Sequence, residues 1–170
     1  MPISDVHWTP PFSGFYKLNV DAAGPIEGDK WGIGVAVGDN EGVVIGASSW
    51  QVFSLPNSEV AETLAMRKGL EFAKDMSFLN IIAESDASNV VLALNAHQQS
   101  SNYVVSIIRD CISFKGSFRR LIFLHVKRKG NQATHYLAKY ALKNLDCIWI
   151  EETSSCISAV LTFDLLLDFL

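Results

Sequence analysis

The stretch Lys17-Leu18-Asn19-Val20-Asp21-Ala22-Ala23 predicts a strand at about residues 15–21 that ends on a carboxylate, Asp21. Asp86 closes a second apolar stretch, Ile81-Ile82-Ala83-Glu84-Ser85-Asp86, and Glu62 lies in the first turns of an apolar helical stretch. Carboxylates are seldom buried unless they are paired or bound to a metal. Three of them on separate elements therefore predict one inward-pointing acidic cluster with a divalent cation as its partner.

The segments around these three acids predict a single α/β domain. The predicted elements are strands at about 15–21, 31–37, 42–47, 79–85 and 121–126, and helices at about 59–75, 87–96, 103–114 and 131–143. Pro56-Asn57-Ser58 is predicted to supply the stop and the N-cap of the first helix, and Asn131 the N-cap of the last. Asp39-Asn40-Glu41-Gly42 is a predicted hairpin turn. The order βββαβααβα predicts a five-stranded mixed sheet, an antiparallel three-strand meander plus parallel strands, flanked by helices.

Composition and length fit one domain with a full core. The chain has 170 residues, of which 49% are hydrophobic and 19% charged, and these values argue against disorder. We expect an extended lead-in at 1–13 anchored by Trp8 and Pro10-Pro11, a domain at 14–146, and a tail at 147–170 that either packs on the domain or forms a partner surface.

Targeting, membrane and cysteine patterns in the sequence give an expectation for the cellular compartment. Neither a transmembrane run of about 18 apolar residues nor a secretory signal is found in the sequence. Three cysteines without CxxC spacing favour a reducing compartment over a disulfide framework or a zinc site. We therefore expect an intracellular monomer, in the nucleus or the cytoplasm, with no membrane partner.

The charge distribution is uneven. The net charge is −4, but eight of the 14 basic residues and none of the 18 acidic residues lie between Lys115 and Lys143, leaving six basic and 18 acidic residues elsewhere. Such asymmetry indicates a polyanionic partner, and the alternative is a solvated surface. On the first interpretation, the segment from Lys115 to Lys143 forms a nucleic-acid-facing side.

The ordered set of motifs resembles the type 1 ribonuclease H family over roughly residues 8–165. It is most similar to plant ribonuclease H-like domains related to the C-terminal part of non-LTR retrotransposon polyproteins. The motifs that carry the resemblance are Trp8-Thr9-Pro10-Pro11, Lys17–Ala23, Trp31-Gly32-Ile33-Gly34, Ala61-Glu62-Thr63-Leu64-Ala65, Glu84-Ser85-Asp86-Ala87 and Asn131–Lys139.

The resemblance implies a metal-dependent endonuclease that hydrolyses the RNA strand of RNA–DNA hybrids. In that family four acidic residues hold two Mg²⁺ ions, and Asp21, Glu62 and Asp86 match three of them. The position of the fourth acid holds His135, as plant members of the group often do. His135 is therefore a candidate metal ligand, which favours Mn²⁺ over Mg²⁺, or a candidate proton carrier. Lys127, Arg128, Lys129 and Asn131 are candidate nucleic-acid contacts.

Each of these assignments has a structural alternative. Asp21 could cap a turn, Glu62 could be an exposed residue at a helix start, and Asp86 could cap the following helix. A second function of a different class is a weakened or inactive nucleic-acid-binding module derived from a retrotransposon ribonuclease H domain. The His135 replacement favours this second function, and the three retained acids favour the enzyme. A general exonuclease of the same superfold is disfavoured by the Asn131–Lys139 motif.

Overall fold

The computed structural model describes residues 8–53, 57–96 and 103–150. Its strands are β1 (Tyr16–Ile26), β2 (Lys30–Gly38), β3 (Val44–Phe53), β4 (Asn80–Ser85), β5 (Arg120–His125) and β6 (Cys147–Ile150), and its helices are α1 (Ser58–Asp75), α2 (Ser88–Ala96), α3 (Tyr103–Ser113) and α4 (Gln132–Ala141). Short 3-10 turns lie at Phe114–Gly116 and Arg128–Asn131. The predicted order of elements is confirmed as far as α4.

The strands form one mixed sheet in the order β5-β4-β1-β2-β3-β6. Strands β1, β2 and β3 are the predicted antiparallel meander, and β4 and β5 add to it in parallel on the β1 side. The expectation of five strands is wrong, because Cys147–Ile150 pairs antiparallel with β3 as a sixth strand. The first four residues of the predicted tail thus belong to the sheet, and the rest of the tail lies outside the described residues.

Each face of the sheet has its own core. The larger core joins Leu18 and Val20 of β1 to buried side chains of α1, α2 and α3. The smaller core joins Ala36 and Ala47 to Leu137 of α4 on the opposite face. The helix α4 therefore packs alone against β1, β2 and β3, on the side of the sheet toward which Asp21 points.

Glycine in β2 allows α4 to lie directly on the sheet. A Cβ atom built at Gly34 would clash with the Thr134 carbonyl oxygen, and one at Gly32 would clash with the Ala138 carbonyl oxygen. The motif Trp31-Gly32-Ile33-Gly34 thus permits a close approach of helix and strand that any side chain would prevent. This contact fixes the distance between α4 and the strands that carry the acids.

The two predicted helix caps have different outcomes. Asn57 is a side-chain cap of α1, since its Oδ1 accepts from the backbone N–H groups of Glu59 and Val60. Asn131 occupies the cap position of α4 but its side chain makes no cap hydrogen bond. The predicted cap position of Asn131 is thus confirmed, but its side chain does not cap the helix because its amide donates to β1 instead.

The lead-in is anchored as expected where the structure describes it. Trp8 is 8% exposed and its indole Nε1 donates to Asn19 Oδ1. In the part of the chain that the structure describes, no helix has the length and apolar character needed to cross a bilayer.

Candidate active site

Three carboxylates meet at one end of the parallel strands. Asp21 lies in β1, Asp86 directly follows β4, and Glu62 lies in the first turns of α1. Strands β1 and β4 are parallel neighbours with Asn19 opposite Glu84, so Asp21 and Asp86 lie two residues further along on the same face. One ligand oxygen from each acid lies within 4.8 Å of the other two. The predicted convergence of the three acids on one site is confirmed.

Two oxygens of this acidic cluster (Asp21, Glu62 and Asp86) are buried without a hydrogen bond. Among the described residues, Glu62 Oε2 and Asp86 Oδ2 have no hydrogen-bond partner. The guanidinium Nε of Arg128 lies 3.7 Å from Asp86 Oδ2, which is an ion pair longer than a hydrogen bond. Buried polar atoms are almost always bonded, so two orphaned oxygens in one cluster indicate a ligand that the described part of the chain does not supply.

The protonation of the cluster follows from burial and from like charges. Burial in the first place, and then the charges of Asp21 and Asp86, raise the pKa of Glu62 from 4.5 to about 10. Burial and the Asp21 charge raise the pKa of Asp86 to about 6, against a lowering by Arg128 and by His135. Without a cation, the cluster therefore holds protons that a free carboxylate would lose.

The donor set fits a hard divalent cation. Carboxylate oxygens are the ligands that Mg²⁺ and Mn²⁺ prefer, and the three oxygens are close enough to share an ion site. A divalent charge would offset the repulsion between the acids and give the orphaned oxygens of Glu62 and Asp86 a partner. The residues present thus fit the metal that the sequence predicted.

His135 joins the cluster from α4. Its Nδ1 lies 2.8 Å from Asp21 Oδ2, in a contact between a side chain that is 21% exposed and one that is 1% exposed. The structure therefore places His135 beside the acids, where the fourth ligand was expected. Because Nδ1 is occupied by Asp21, the other ring nitrogen is the one available for a ligand or a proton. Both predicted roles of His135 remain predictions.

The basic segment is divided by strand β5. The exposed residues Lys127, Arg128 and Lys129, here called the basic turn, follow β5 at the end of the sheet that bears the acids. Arg119 and Arg120 lie at the start of β5, a strand length of about 17–20 Å away. Strand β5 therefore separates Arg119 and Arg120 from the basic turn, and one nucleic-acid-facing side from Lys115 to Lys143 stays a prediction.

Asn131 is buried at 2% exposure, and its amide is bonded within the protein. Its Nδ2 donates to the Val20 carbonyl and its Oδ1 accepts from Asn19. This geometry gives the side chain a structural partner at each end, and direct nucleic-acid contact by Asn131 remains only a prediction. Sequence reasoning gave no role to Asn19, although polar residues at every second position of β1 could have revealed a polar face.

Comparisons with known proteins agree with this geometry. The model of the reverse transcriptase-like family matches residues 19–141. No curated protein gives a significant sequence match. The solved structures that are similar include ribonuclease H1 from Halobacterium salinarum, with 20% identity, a TM-score of 0.68, and coverage of 75% of this chain and 97% of that chain.

Two further structures hold nucleic acid. LC11 ribonuclease H1, which was isolated from compost, is in complex with an RNA/DNA hybrid; it is 19% identical with a TM-score of 0.64, covering 74% of this chain and 95% of that chain. The foamy viral protease-reverse transcriptase, also in complex with an RNA/DNA hybrid, is 15% identical with a TM-score of 0.60, covering 84% of this chain and 21% of that chain. At these identities the likeness establishes the fold. The chain thus belongs to the reverse transcriptase-like family, and its fold is that of ribonuclease H.

Proposed function

We propose that the protein is a metal-dependent endonuclease that hydrolyses the RNA strand of RNA–DNA hybrids inside the cell. The observation that carries the proposal is the convergence of Asp21, Glu62 and Asp86 with two buried oxygens left without a hydrogen bond. Hybrid complexes of two proteins with the same fold support the choice of substrate. The metal would be Mg²⁺ or Mn²⁺, and a pair of ions is the form such chemistry takes.

The three acids would hold the metal, with Asp21 at the centre because it offers an oxygen within 4.8 Å of both other acids and also contacts His135. Bound divalent ions supply an activated water and stabilise the leaving oxygen in phosphodiester hydrolysis. Glu62 and Asp86 each have one buried oxygen without a hydrogen bond from the described residues, and each offers an oxygen within 4.8 Å of the other acids. His135 orients the Asp21 carboxylate through Nδ1, and its second ring nitrogen is placed to take or give a proton.

The basic turn would contact the phosphates of the substrate. Its three side chains are exposed, and Arg128 lies beside Asp86 at the edge of the acidic cluster. Phosphate contacts of this kind position a nucleic acid without discriminating its sequence. Such a turn would set the register of the hybrid over the acids.

One observation favours a second candidate function, a nucleic-acid-binding module without turnover. The hydrogen bond from His135 occupies an oxygen of Asp21, the acid expected to be central to metal binding. If this bond persists when a cation is offered, the cation loses one of its ligands. The fold and the basic turn would then serve binding alone.

A cleavage assay distinguishes the two functions. We expect the purified protein to cut only the RNA strand of a labelled hybrid, with Mn²⁺ more efficient than Mg²⁺, and to leave double-stranded DNA intact. The Asp21→Asn variant keeps the shape of the side chain and should lose cleavage with either metal. Binding of the hybrid by wild type, without cleavage under any metal condition, would reject the enzyme and leave the binding module.

A salt titration tests the nucleic-acid interface. Neutralising Lys127, Arg128 and Lys129 to glutamine should weaken hybrid binding and reduce the slope of log K against log salt by about 0.7–0.9 for each phosphate that is no longer neutralised. The matched control is neutralisation of Arg119 and Arg120 at the far end of β5, which should leave the slope unchanged. Equal effects of the two sets would show that the basic turn has no special role.

A further inference from the structure

A buried polar network lies beside the acidic cluster on the same face of the sheet. Lys17 is 6% exposed and Glu84 is 7% exposed, and Lys17 Nζ lies 3.3 Å from Glu84 Oε2. The Lys17 ammonium also donates to the backbone oxygen of Thr9 at 2.6 Å. These contacts tie the lead-in to the neighbouring strands β1 and β4, which carry Asp21 and Asp86.

Asn19 is the hub of this network. Its Nδ2 donates to Glu84 Oε1 at 3.1 Å and to Asn131 Oδ1 at 3.0 Å, and its Oδ1 accepts from Trp8 Nε1 at 3.0 Å. Both N–H donors of the amide are thereby used. Asn19 also lies two residues before Asp21 in β1, on the same face of the strand. One side chain thus joins the lead-in, the neighbouring strands β1 and β4, and the start of α4.

Asn131 transmits this arrangement to the site. Its Nδ2 donates to the carbonyl oxygen of Val20, the residue before Asp21. His135 follows one helical turn later and contacts Asp21 itself. The pairs Asn131–Val20 and His135–Asp21 are therefore consecutive contacts between α4 and β1, and both fix the helix against the strand that bears the central acid.

The gain in stability alone does not explain this buried polar network. Apolar side chains of similar volume often replace buried ion pairs with no loss of stability, and Asn131 gives up the cap hydrogen bond that its position offers. What directed hydrogen bonds add is a fixed orientation. The segment that these bonds orient runs from Arg128 to His135, and it places Arg128 beside Asp86 and His135 beside Asp21.

We propose that Asn19 is a positioning residue that holds the basic turn and the first turn of α4 in register with the acidic cluster, acting through Asn131. Trp8 supports the same arrangement by holding the oxygen end of the Asn19 amide. The lead-in is on this view part of the active-site structure. The functional part of the inference rests on the proposed function, whereas the structural part does not.

Hydrogen–deuterium exchange tests the structural part without nucleic acid. Asn19→Ala should increase exchange in peptides covering residues 127–135 well beyond the increase elsewhere in the sheet. The matched control is a substitution at Ile108, which is 1% exposed and lies in α3 on the other face of the sheet. Of Ile108→Val and Ile108→Ala, the control is the variant whose loss of Tm equals that of Asn19→Ala. Trp8→Phe keeps an aromatic ring but removes the donor, so it should change exchange in the same peptides to a smaller extent. Equal exchange at 127–135 in Asn19→Ala and the Ile108 control would overturn the proposal.

A double-mutant cycle tests the functional part by hybrid binding alone. Asn19→Ala should weaken binding of a short RNA–DNA hybrid by about 10-fold, the loss typical of an outer-shell partner. It should have little further effect when Lys127, Arg128 and Lys129 are already glutamine, because residues acting through one another are not additive. Additive losses would overturn the claim that Asn19 acts through the basic turn. Absence of hybrid binding by wild type would reject the proposed function, and the exchange experiment would still decide whether Asn19 positions the turn.

Discussion

Two sets of buried carboxylates lie near the end of β4, and they differ in their hydrogen bonds: Glu84 within the strand is the paired set, and Asp86 just after it forms the unpaired set with Glu62 of α1. Both oxygens of Glu84 are bonded within the protein, Oε1 by Asn19 and Oε2 by Lys17. The Oδ2 atom of Asp86 and the Oε2 atom of Glu62 are buried with no hydrogen bond from the described residues. The fold is therefore able to pair a buried acid at this point and does so for one set only.

This contrast indicates where a ligand belongs. The described residues supply a lysine and an asparagine to Glu84, but they give the buried oxygens of Glu62 and Asp86 no hydrogen bond beyond the longer ion pair with Arg128, which points to a bound ligand at those oxygens. Asp21 is intermediate between the two sets, since His135 bonds one of its oxygens. His135 is therefore called the boundary residue. Substitutions in the paired set should therefore affect stability first, and substitutions in the unpaired set should affect metal binding first.

The largest effect is expected from unpairing the paired set. Lys17→Met leaves Glu84 buried without its cation and should lower the free energy of unfolding by about 3–5 kcal/mol, measured by urea denaturation. Lys17→Met combined with Glu84→Leu should recover much of that loss, because no charge is then stranded. Lys139→Met, at an exposed site on α4, is the control for removing a lysine. A single-variant loss below about 1 kcal/mol would mean that the pair is not effectively buried.

The next effect is the stabilisation of the unpaired set by metal. At a concentration about 100 times Kd, Mn²⁺ should add about 2.7 kcal/mol to the free energy of unfolding and raise Tm by about 5–10 °C for a domain of this size. Asp21→Asn should remove most of the shift, because it deletes the central carboxylate. A shift of equal size in wild type and Asp21→Asn would place the bound metal elsewhere.

A comparable change in rate is expected at the boundary residue. His135→Asp replaces an imidazole by an oxygen ligand and should raise the Mg²⁺-supported cleavage rate by about 10- to 100-fold, the range typical of residues around a metal. His135→Ala should lower the Mn²⁺-supported rate if the imidazole is a ligand or carries a proton. Initial rates on a labelled hybrid measure both. Slower Mg²⁺ cleavage by His135→Asp would show that this position needs the imidazole.

The smallest expected effect is an increase in the free energy of unfolding, whereas Lys17→Met should decrease it. With a chelator present, Glu62→Gln should stabilise the protein by about 1–2 kcal/mol near neutral pH, because it removes a carboxylate whose ionisation is unfavourable in the fold. The pKa of Glu62 is raised from 4.5 to about 10, so the folded state binds more protons than the unfolded state across that window. Wild-type stability should therefore fall as pH rises through it, and Glu62→Gln should flatten the decline. A decline that is equally steep in the variant would assign it to other groups.

Much of the site could be predicted from local sequence. Asp21, Glu62 and Asp86 stand out because a charged residue interrupts an apolar pattern, and that pattern is a local property of the chain. The cap at Asn57 is likewise decided by neighbouring residues. Their convergence was predicted because three such acids lie on separate apolar elements, and the parallel pairing of β1 with β4 accounts for the approach of Asp21 to Asp86.

The features that were missed depend on contacts between distant segments. Strand β6 has four residues and exists by pairing with β3, so its own pattern gives little signal. Asn131 has the sequence of a helix cap, but an acceptor in β1 at Val20 takes its amide. The role of Asn19 could not be predicted because its hydrogen-bond partners lie far from it in sequence. The separation of the basic residues could not be predicted without knowing that β5 runs between them.

Calorimetric titration of Mn²⁺ into wild type, Glu62→Gln and Glu84→Gln is the decisive test of the metal site. The two variants make the same chemical change, one in the unpaired set and one in the paired set. We predict that wild type binds Mn²⁺, that Glu62→Gln weakens binding by at least about 10-fold, and that Glu84→Gln, assayed where it remains folded, weakens it less. Absence of binding to wild type at millimolar Mn²⁺, or equal weakening by the two variants, would contradict the claim that the unpaired acids are the metal site.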